Sequence, residues 1–210
     1  MAALYRDAAT GNGNMKMSNL WKTLTREQKG AWGAWADSNP VLLPDFNVRR
    51  VSAHKAFSVV MNNRAIAGVS LTPTVVPAAV TWLGNVFSTR DAGPYTTNTG
   101  FIGFRAELAV PNNTKFFIWA SPPCGVAVAA PRAFLRFVGV MTVSPAMVFD
   151  DVTPNQNTAY RAVNGSFNGP GDDGDWGAVD MFVHYRVYEY KNGQLGPGFG
   201  LKTGKIVVEL

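Results

Sequence analysis

The sequence predicts a mainly β protein, in which an antiparallel β-sandwich follows two short helices and an N-terminal arm. Apolar residues recur at a helical spacing of about 3.6 in the first third of the chain, and at a period of two from Thr72 onward. Clusters of Gly, Pro and Asn bound the later apolar segments, with no helical pattern between them. The chain has 210 residues, of which 47% are hydrophobic, so it can bury a substantial core.

The change of period divides the chain into two predicted regions. We expect residues 1–71 to form the basic N-terminal arm and the two helices, and residues 72–210 to form the β-sandwich. A sandwich of this size has about seven strands, and the alternative is a jelly roll of eight. Residues 1–17 are small and polar, which is typical of an arm that becomes ordered against a partner.

The first helix is predicted over residues 25–37 from its capping residues. Thr25 followed by Gln28 fits a capping box, in which each side chain bonds the backbone of the other residue. Trp32 and Trp35 share one face of this helix, and Trp21 is expected to belong to the same aromatic helix. The pair at 39–40, Asn-Pro, ends it, because proline disfavours helical backbone in the preceding residue.

The second helix is predicted over residues 52–67, after an extended connector at residues 41–50. Ser52 is a suitable N-cap, and Gly68 is suited to the position just past the helix end. Phe57, Val60 and other apolar residues share a face, so this helix must pack against another element.

Six segments after Thr72 read as strands. In chain order they are residues 74–86 (an edge strand broken by Pro77), 101–110, 114–121, 134–144, 178–190 and 202–210. The segment 114–121 is apolar on both faces, which predicts a central strand.

The segment 178–190 is the longest predicted strand, and Asn192-Gly193 predicts a hairpin after it. Alternation places four residues in the core and three outside. The inward set is Met181, Val183, Tyr185 and Val187, and the outward set is Asp180, His184 and Arg186.

The formal net charge of +5 lies entirely in the first 70 residues. Nine Lys and Arg face four acids there, whereas residues 71–210 carry ten of each sign. A basic end on a neutral body indicates contact with an acidic partner, and the alternative is an ordinary solvated helix face. Nucleic acid is one such partner for the basic N-terminal segment.

No stretch of the sequence carries a catalytic motif. His54 and His184 have no neighbouring residues at ligand or triad spacing, and no G-x-S-x-G elbow is present. The single cysteine, Cys124, excludes an intrachain disulfide. We therefore expect no catalytic residue and no cofactor.

Two glycine-rich segments have alternatives that involve a ligand. Asp172, Asp173 and Asp175 lie in one of them, but their spacing departs from an EF-hand loop, so we expect no metal and interpret them as a solvated turn. The other, GPGFG at 196–200, lies between two strands and lacks the Lys-Ser/Thr pair of a phosphate loop. It is interpreted as a turn.

The hydropathy pattern predicts no membrane segment and no signal peptide. No apolar run approaches the roughly 18 residues that span a bilayer, and the N-terminus has no apolar region of the signal type. The expected location is the cytosol or a particle assembled there.

Two motifs near the N-terminus point to a family. The pattern W-x-x-L-T-x-E-Q-x-x-A-W-x-x-W-A at residues 21–36, followed by SAHKAFSVVMNNR at 52–64, resembles the N-terminal signature of uncharacterised phage and prophage-like structural proteins. From Thr72 onward the strand order is similar to fibronectin type III (immunoglobulin-like) sandwiches. The resemblance implies a virion location, after assembly in the host cytoplasm, and no catalytic residue.

These observations together predict a non-enzymatic structural component of a phage particle, either capsid-associated, a decoration protein or a connector. Its expected partners are other virion structural proteins and further copies of itself, with no membrane. Low charge (16% of residues) and Gly- and Asn-rich segments favour burial at such contacts. The candidate interface comprises Trp21, Trp32, Trp35, Arg49, Arg50 and Phe57.

Three alternatives accompany this prediction. The tryptophans could instead pack the helices onto the protein's own body. The chain could be a carbohydrate- or ligand-binding β-sandwich that uses Trp176, Tyr188 and Tyr190 as an exposed stacking platform. An enzyme is the third, and loss of a hydrolase activity on His184→Ala would identify it.

Overall fold

The computed structural model describes residues 17–83, 87–89, 104–106, 110–122, 124–125, 134–143, 163, 181–196 and 199–206. The chain divides into two compact units. The first, here the helical unit, comprises Met1–Trp82 and Tyr190–Gly196, and the second, here the sheet unit, comprises Leu83–Glu189 and Pro197–Leu210. The boundary at residues 71 and 72 stays a prediction.

Three helices lie in the helical unit: α1 (Met17–Thr23), α2 (Arg26–Ser38) and α3 (Ala53–Ile66). The helices predicted over residues 25–37 and 52–67 are thereby confirmed. The capping box of Thr25 and Gln28 is present at the start of α2, and Ser52 caps α3. Gly68, at φ +65°, follows the end of α3 in the left-handed conformation that glycine adopts readily.

Helix α1 was not predicted, and it separates Trp21 from the other two tryptophans. Trp21 lies on α1, whereas Trp32 and Trp35 lie on α2. The prediction of one helix for all three is therefore wrong. The backbone breaks at Leu24, whose N–H bonds the carbonyl of Trp21, because Thr25 begins a new cap instead of continuing the helix.

The predicted extended connector folds back on itself. Strands β1 (Val41–Leu42) and β2 (Val48–Arg49) pair antiparallel, with Val41 opposite Arg49. The turn between them depends on Asp45, whose carboxylate accepts from the Asn47 N–H at 3.1 Å. Asp side chains commonly fix turns in this way.

The remaining strands are antiparallel throughout the described pairs. They are β3 (Phe87–Thr89), β4 (Phe104–Ala106), β5 (Lys115–Ala120), β6 (Cys124–Gly125), β7 (Arg136–Thr142), β8 (Met181–Lys191), β9 (Gln194–Leu195) and β10 (Phe199–Ile206). One sheet has the order β10-β8-β5-β7, with β6 and β9 also paired to β8, and β3 pairs with β4 separately. The structure thus confirms helices followed by antiparallel sheets.

Several strand predictions can be compared with these bounds. The central position expected for segment 114–121 is confirmed, because β5 lies between β8 and β7. Segment 134–144 contains β7, and segment 178–190 contains β8 except for its last residue, Lys191. Strand β8 is the longest strand described. The strand predicted at 74–86 is wrong over residues 74–83, which contain no strand. Its apolar residues lie next to Pro73 and Pro77, which cannot donate ladder hydrogen bonds.

The outward position predicted for Arg186 is also wrong. Residues 186–190 of β8 are all buried, so both faces of this part of the strand are covered. The Arg186 guanidinium donates to the Tyr188 hydroxyl at 3.0 Å, and the Glu189 carboxylate accepts from the Leu83 N–H at 2.8 Å. Val187 is buried as predicted, whereas the other three inward side chains and Asp180 lie outside the described set.

Candidate interaction surface

Trp21 lies where α1 meets α3. Its ring is 5.3 Å from the His54 ring and 5.2 Å from the Phe57 ring, measured between centroids, and both pairs are tilted. Trp21 is half-buried and His54 is exposed, so this aromatic contact reaches the surface. Phe57 is fully buried, and the Trp21 ring packs against it. The tilted geometry is one that aromatic pairs favour.

Trp32, Trp35 and Phe57 form the aromatic core of the helical unit. Trp32 and Phe57 are 0% exposed and Trp35 is 9% exposed. The Trp32 ring meets the Trp35 ring edge-on at 5.6 Å and the Phe57 ring edge-on at 5.2 Å. The indole N–H of Trp32 donates to the Pro73 carbonyl at 3.0 Å.

This burial decides how the candidate interface residues can act. Trp32 and Phe57 expose no surface that a partner could contact, because they pack α2 against α3. The three with exposed surface are Trp21, Arg49 and Arg50. The expectation that all six residues belong to an interface stays a prediction. The buried members would contribute to it by fixing the positions of the helices.

Arg49 forms an ion pair within the β1–β2 turn. Its guanidinium is 3.1 Å from the Asp45 carboxylate, and both side chains are well exposed. Hydrogen bonding from Asn47 is the largest cause that lowers the pKa of Asp45, and the nearby Arg49 charge adds to it. Exposed ion pairs contribute little to stability. Arg50 follows directly, is exposed, and forms no ion pair with a described residue.

Five cations lie on α1, α2 and α3 or just before α3, and sequence reasoning did not single them out. The Lys29 ammonium lies 6.0 Å from the Trp21 ring centroid, at the outer limit of a cation–π contact. Lys22 follows Trp21 in the chain, Arg26 precedes Lys29 by about one helical turn, and Lys55 follows His54. We call the set of Lys22, Arg26, Lys29, Arg50 and Lys55 the basic surface.

The far end of α3 carries a buried polar group that the sequence pattern does not reveal. The Asn63 amide nitrogen donates to the Gly193 carbonyl at 3.0 Å, and Asn63 is 1% exposed. The Arg64 guanidinium donates to the Thr72 hydroxyl. Burial raises the pKa of the Tyr190 hydroxyl, and the Arg64 charge and a Gly193 backbone hydrogen bond act in the opposite direction. These contacts fix the β8–β9 turn on α3.

The described residues contain no group of three or more His, Cys, Asp or Glu side chains able to hold a metal ion. His54 contacts Trp21, and His184 is half-buried on β8, where burial lowers the pKa of its imidazole. Asp172, Asp173, Asp175 and Trp176 lie outside the described residues. Of the segment at 196–200, Gly196 follows β9, Phe199 and Gly200 belong to β10, and residues 197–198 lie outside the described residues, so the interpretation as a turn stays a prediction.

The exposed stacking platform considered for a carbohydrate-binding module is not formed by its two tyrosines. Tyr188 and Tyr190 are 3% and 7% exposed. The Tyr188 ring packs edge-on against Trp119 at 5.4 Å, inside the sheet unit. A sugar cannot stack on rings that are already enclosed, so the prediction of exposed tyrosines is wrong.

Comparison with known proteins finds no matching family model, no matching curated protein and no matching solved structure. Among the helices that the structure describes, none is both long enough and apolar enough to cross a membrane.

Proposed function

We propose that this chain is a non-enzymatic structural component of a phage particle, capsid-associated or serving as a decoration or connector protein. It acts by protein–protein assembly, in several copies, with other virion proteins as partners. The observation that carries the proposal is the separate helical unit, which has its own core and holds the whole charge excess of the chain. The resemblance of residues 21–36 and 52–64 to phage structural proteins supports it.

The helical unit is built as a rigid docking element in this proposal. Short helices of 7, 13 and 14 residues are marginal in isolation, so they depend on packing for their stability. Trp32 and Phe57 supply that packing, since a buried aromatic removes roughly 150–250 Å² from water. The exposed segment with Val48 and Arg49 then lies on a fixed scaffold, where a protein partner can bind it without first ordering the chain.

The sheet unit is the body of the protein in this proposal. Strand β5 carries five consecutive buried residues, from Phe116 to Ala120, between two neighbouring strands. A strand that is paired on both edges has no free backbone groups for pairing with another chain, which suits a structural role. We propose that the antiparallel sheets close into a fibronectin type III-like sandwich, with the jelly roll as the alternative topology.

Mass spectrometry of purified particles tests the function directly. Cells that carry the gene are induced, particles are banded on a density gradient, and the copy number of this chain is measured against the major capsid protein. We expect a fixed number of copies per particle. Absence of the chain from intact particles, together with its recovery in the soluble lysate, would contradict the proposal.

A charge-reversal variant then tests the docking element. Arg49→Glu combined with Arg50→Glu places two negative charges on the exposed turn that precedes α3, and we expect at least a tenfold loss of incorporation. The matched control is Lys202→Glu with Lys205→Glu on β10, which changes the net charge equally. Equal incorporation of both variants would show that the helical unit does not dock through this turn.

A further inference from the structure

We propose that the basic surface binds the phosphate backbone of nucleic acid without reading its sequence. This assigns a second ligand to the helical unit. It deepens the role in a particle but can be tested without particles, on the purified chain. The surface comprises five cations on or next to three helices, namely Lys22, Arg26, Lys29, Arg50 and Lys55.

The charge of this region is not balanced within the helical unit. Described residues 17–83 contain seven Lys and Arg and three acids, Glu27, Asp37 and Asp45. Asp45 is already paired with Arg49, and Arg64 is buried on the far part of α3. None of the five cations of the basic surface forms an ion pair with a described residue. An anionic ligand would supply the missing partner.

One of these cations, Lys29, lies at an aromatic contact between helices, and the other four lie on or next to the same helices. Trp21 touches His54, and Lys29 lies over its ring, so α1, α2 and the start of α3 meet there. Lys22 and Lys55 are the chain neighbours of Trp21 and His54. Arg26 lies one turn from Lys29, a separation at which helical side chains are neighbours.

The first turn of α3 strengthens the positive potential at this place. It contains His54 and Lys55 and no acid, although helix N-termini ordinarily favour acidic residues because of the helix dipole. The positive end of the helix dipole therefore adds to the charge of the nearby side-chain cations, and no acidic side chain in this turn offsets it. Together with the side-chain cations, this arrangement favours an anion with several negative groups.

Nucleic acid fits this surface better than an acidic protein does. The large hydrophobic residues that are exposed in the described chain are Val48, Val69, Val75 and Phe134, and none lies on α1, α2 or α3. A protein interface is centred on buried apolar and aromatic anchors. Lys and Arg side chains contact phosphates, and an aromatic ring beside them can stack on a base of a single strand. The helices carry both kinds of side chain.

Electrophoretic mobility shift and fluorescence anisotropy on the full chain test this proposal. The probes are 30-nucleotide single-stranded and duplex DNA of two unrelated sequences, in a salt series. We expect equal affinity for both sequences of each type. If all five cations contact phosphates, log K should fall with log salt with a slope of about −3.5 for single strands and about −4.5 for duplex.

Paired triple variants identify the surface. Lys22→Gln, Lys29→Gln and Lys55→Gln together should weaken binding at least tenfold and reduce the single-strand slope by about 2. The control, Arg136→Gln, Lys202→Gln and Lys205→Gln, removes the same charge from β7 and β10 and should weaken binding less than threefold. Circular dichroism checks that both variants keep their folded spectra.

Two results would overturn the proposal. Equal loss in both triple variants would mean that binding follows net charge and not this surface. Tighter binding of polyglutamate than of DNA would mean that the partner is an acidic polypeptide. Neither result bears on particle incorporation, so failure here is distinguishable from failure of the proposed function.

Discussion

The side-chain amide of Asn63 donates a hydrogen bond to the backbone carbonyl of Gly193, 130 residues later in the chain, at 3.0 Å. Both residues are buried. The turn at Asn192 and Gly193 has positive φ at both positions, +51° and +84°, the geometry of a type I′ hairpin. One buried hydrogen bond therefore ties a local turn to the last turn of α3 and holds residues 190–196 in the helical unit.

Gly193→Ala should destabilise the helical unit strongly. A Cβ at this position would lie 2.6 Å from the Val60 side chain and 3.0 Å from the Val60 carbonyl, in left-handed backbone. We expect a loss of about 3 kcal/mol or more, measured by urea unfolding. Gly68→Ala is the matched control, since its φ is +65° but nothing lies within 4 Å, and it should cost about 1 kcal/mol. Equal losses would show that the contact with Val60 is unimportant.

Trp32→Phe should cost more than the same change at Trp35. The Trp32 indole donates to Pro73, whereas the Trp35 indole has no acceptor among the described residues. We expect about 1–2 kcal/mol at Trp32 beyond the shared loss of ring volume, from chemical denaturation of both variants. Trp32→Ala should cost about 3–5 kcal/mol. If the two Phe variants are equally stable, the hydrogen bond to Pro73 contributes nothing measurable.

Thr25→Ala should weaken α2 at its start. Thr25 and Gln28 exchange two hydrogen bonds, of 3.2 Å to the Thr25 hydroxyl and 2.9 Å to the Gln28 amide oxygen. Removing the hydroxyl should cost about 1 kcal/mol, read from the thermal midpoint and urea curves. Thr23→Ala provides the comparison, because the Thr23 hydroxyl only bonds back to the Leu20 carbonyl. An equal loss at Thr23 would argue against a specific capping effect.

Gly30→Ala should stabilise the protein. Gly30 lies inside α2, is exposed, and a Cβ added there meets nothing within 4 Å. Alanine restricts the unfolded chain more than glycine does, so we expect a gain of about 0.5–1 kcal/mol in the unfolding free energy. Gly33→Ala, one turn later and equally open, should give a similar gain. A loss at both sites would mean that another chain occupies this space.

Stability of the sheet unit should depend on the protonation of His184. Burial lowers the pKa of this imidazole below its ordinary value of 6.5, so the unfolded chain takes up the proton first as the pH falls. The contribution of His184 is complete above pH 6.5 and is lost as the pH falls through the lowered pKa. Urea unfolding between pH 7.5 and 5 should therefore show a shallower decline for His184→Gln. Parallel curves for the two proteins would contradict this.

Local signals in the sequence predicted the elements that depend on neighbouring residues. The Thr25–Gln28 box and the Asn192–Gly193 turn each act within four residues, and the structure confirms both. Helix α1 was not predicted because its seven residues are shorter than the window in which a helical period can be recognised. The strand predicted at 74–86 is wrong over residues 74–83, because β-branched residues alone do not provide a pairing partner.

The hydropathy pattern of the sequence could not predict contacts between residues that are distant in the chain. Alternation along β8 assigned Arg186 to solvent, since a period of two cannot show whether the second face is covered. The hydrogen bond between Asn63 and Gly193 is likewise not indicated by the sequence around either residue. Of the candidate interface, the aromatic content was visible in the sequence, but the separation into buried Trp32 and half-buried Trp21 required the packing of three helices.

The split composition of the helical unit has a consequence for synthesis on the ribosome. Its helices emerge early, whereas residues 190–196, which bond to α3 through Gly193, follow after roughly a hundred further residues. At about 5–20 residues per second this takes roughly 5–20 s. Throughout that interval the place on α3 that will receive the turn, beside Val60 and Asn63, lacks its own hairpin. A pause in translation before residue 190 therefore leaves Val60 and Asn63 without the contacts that Gly193 supplies.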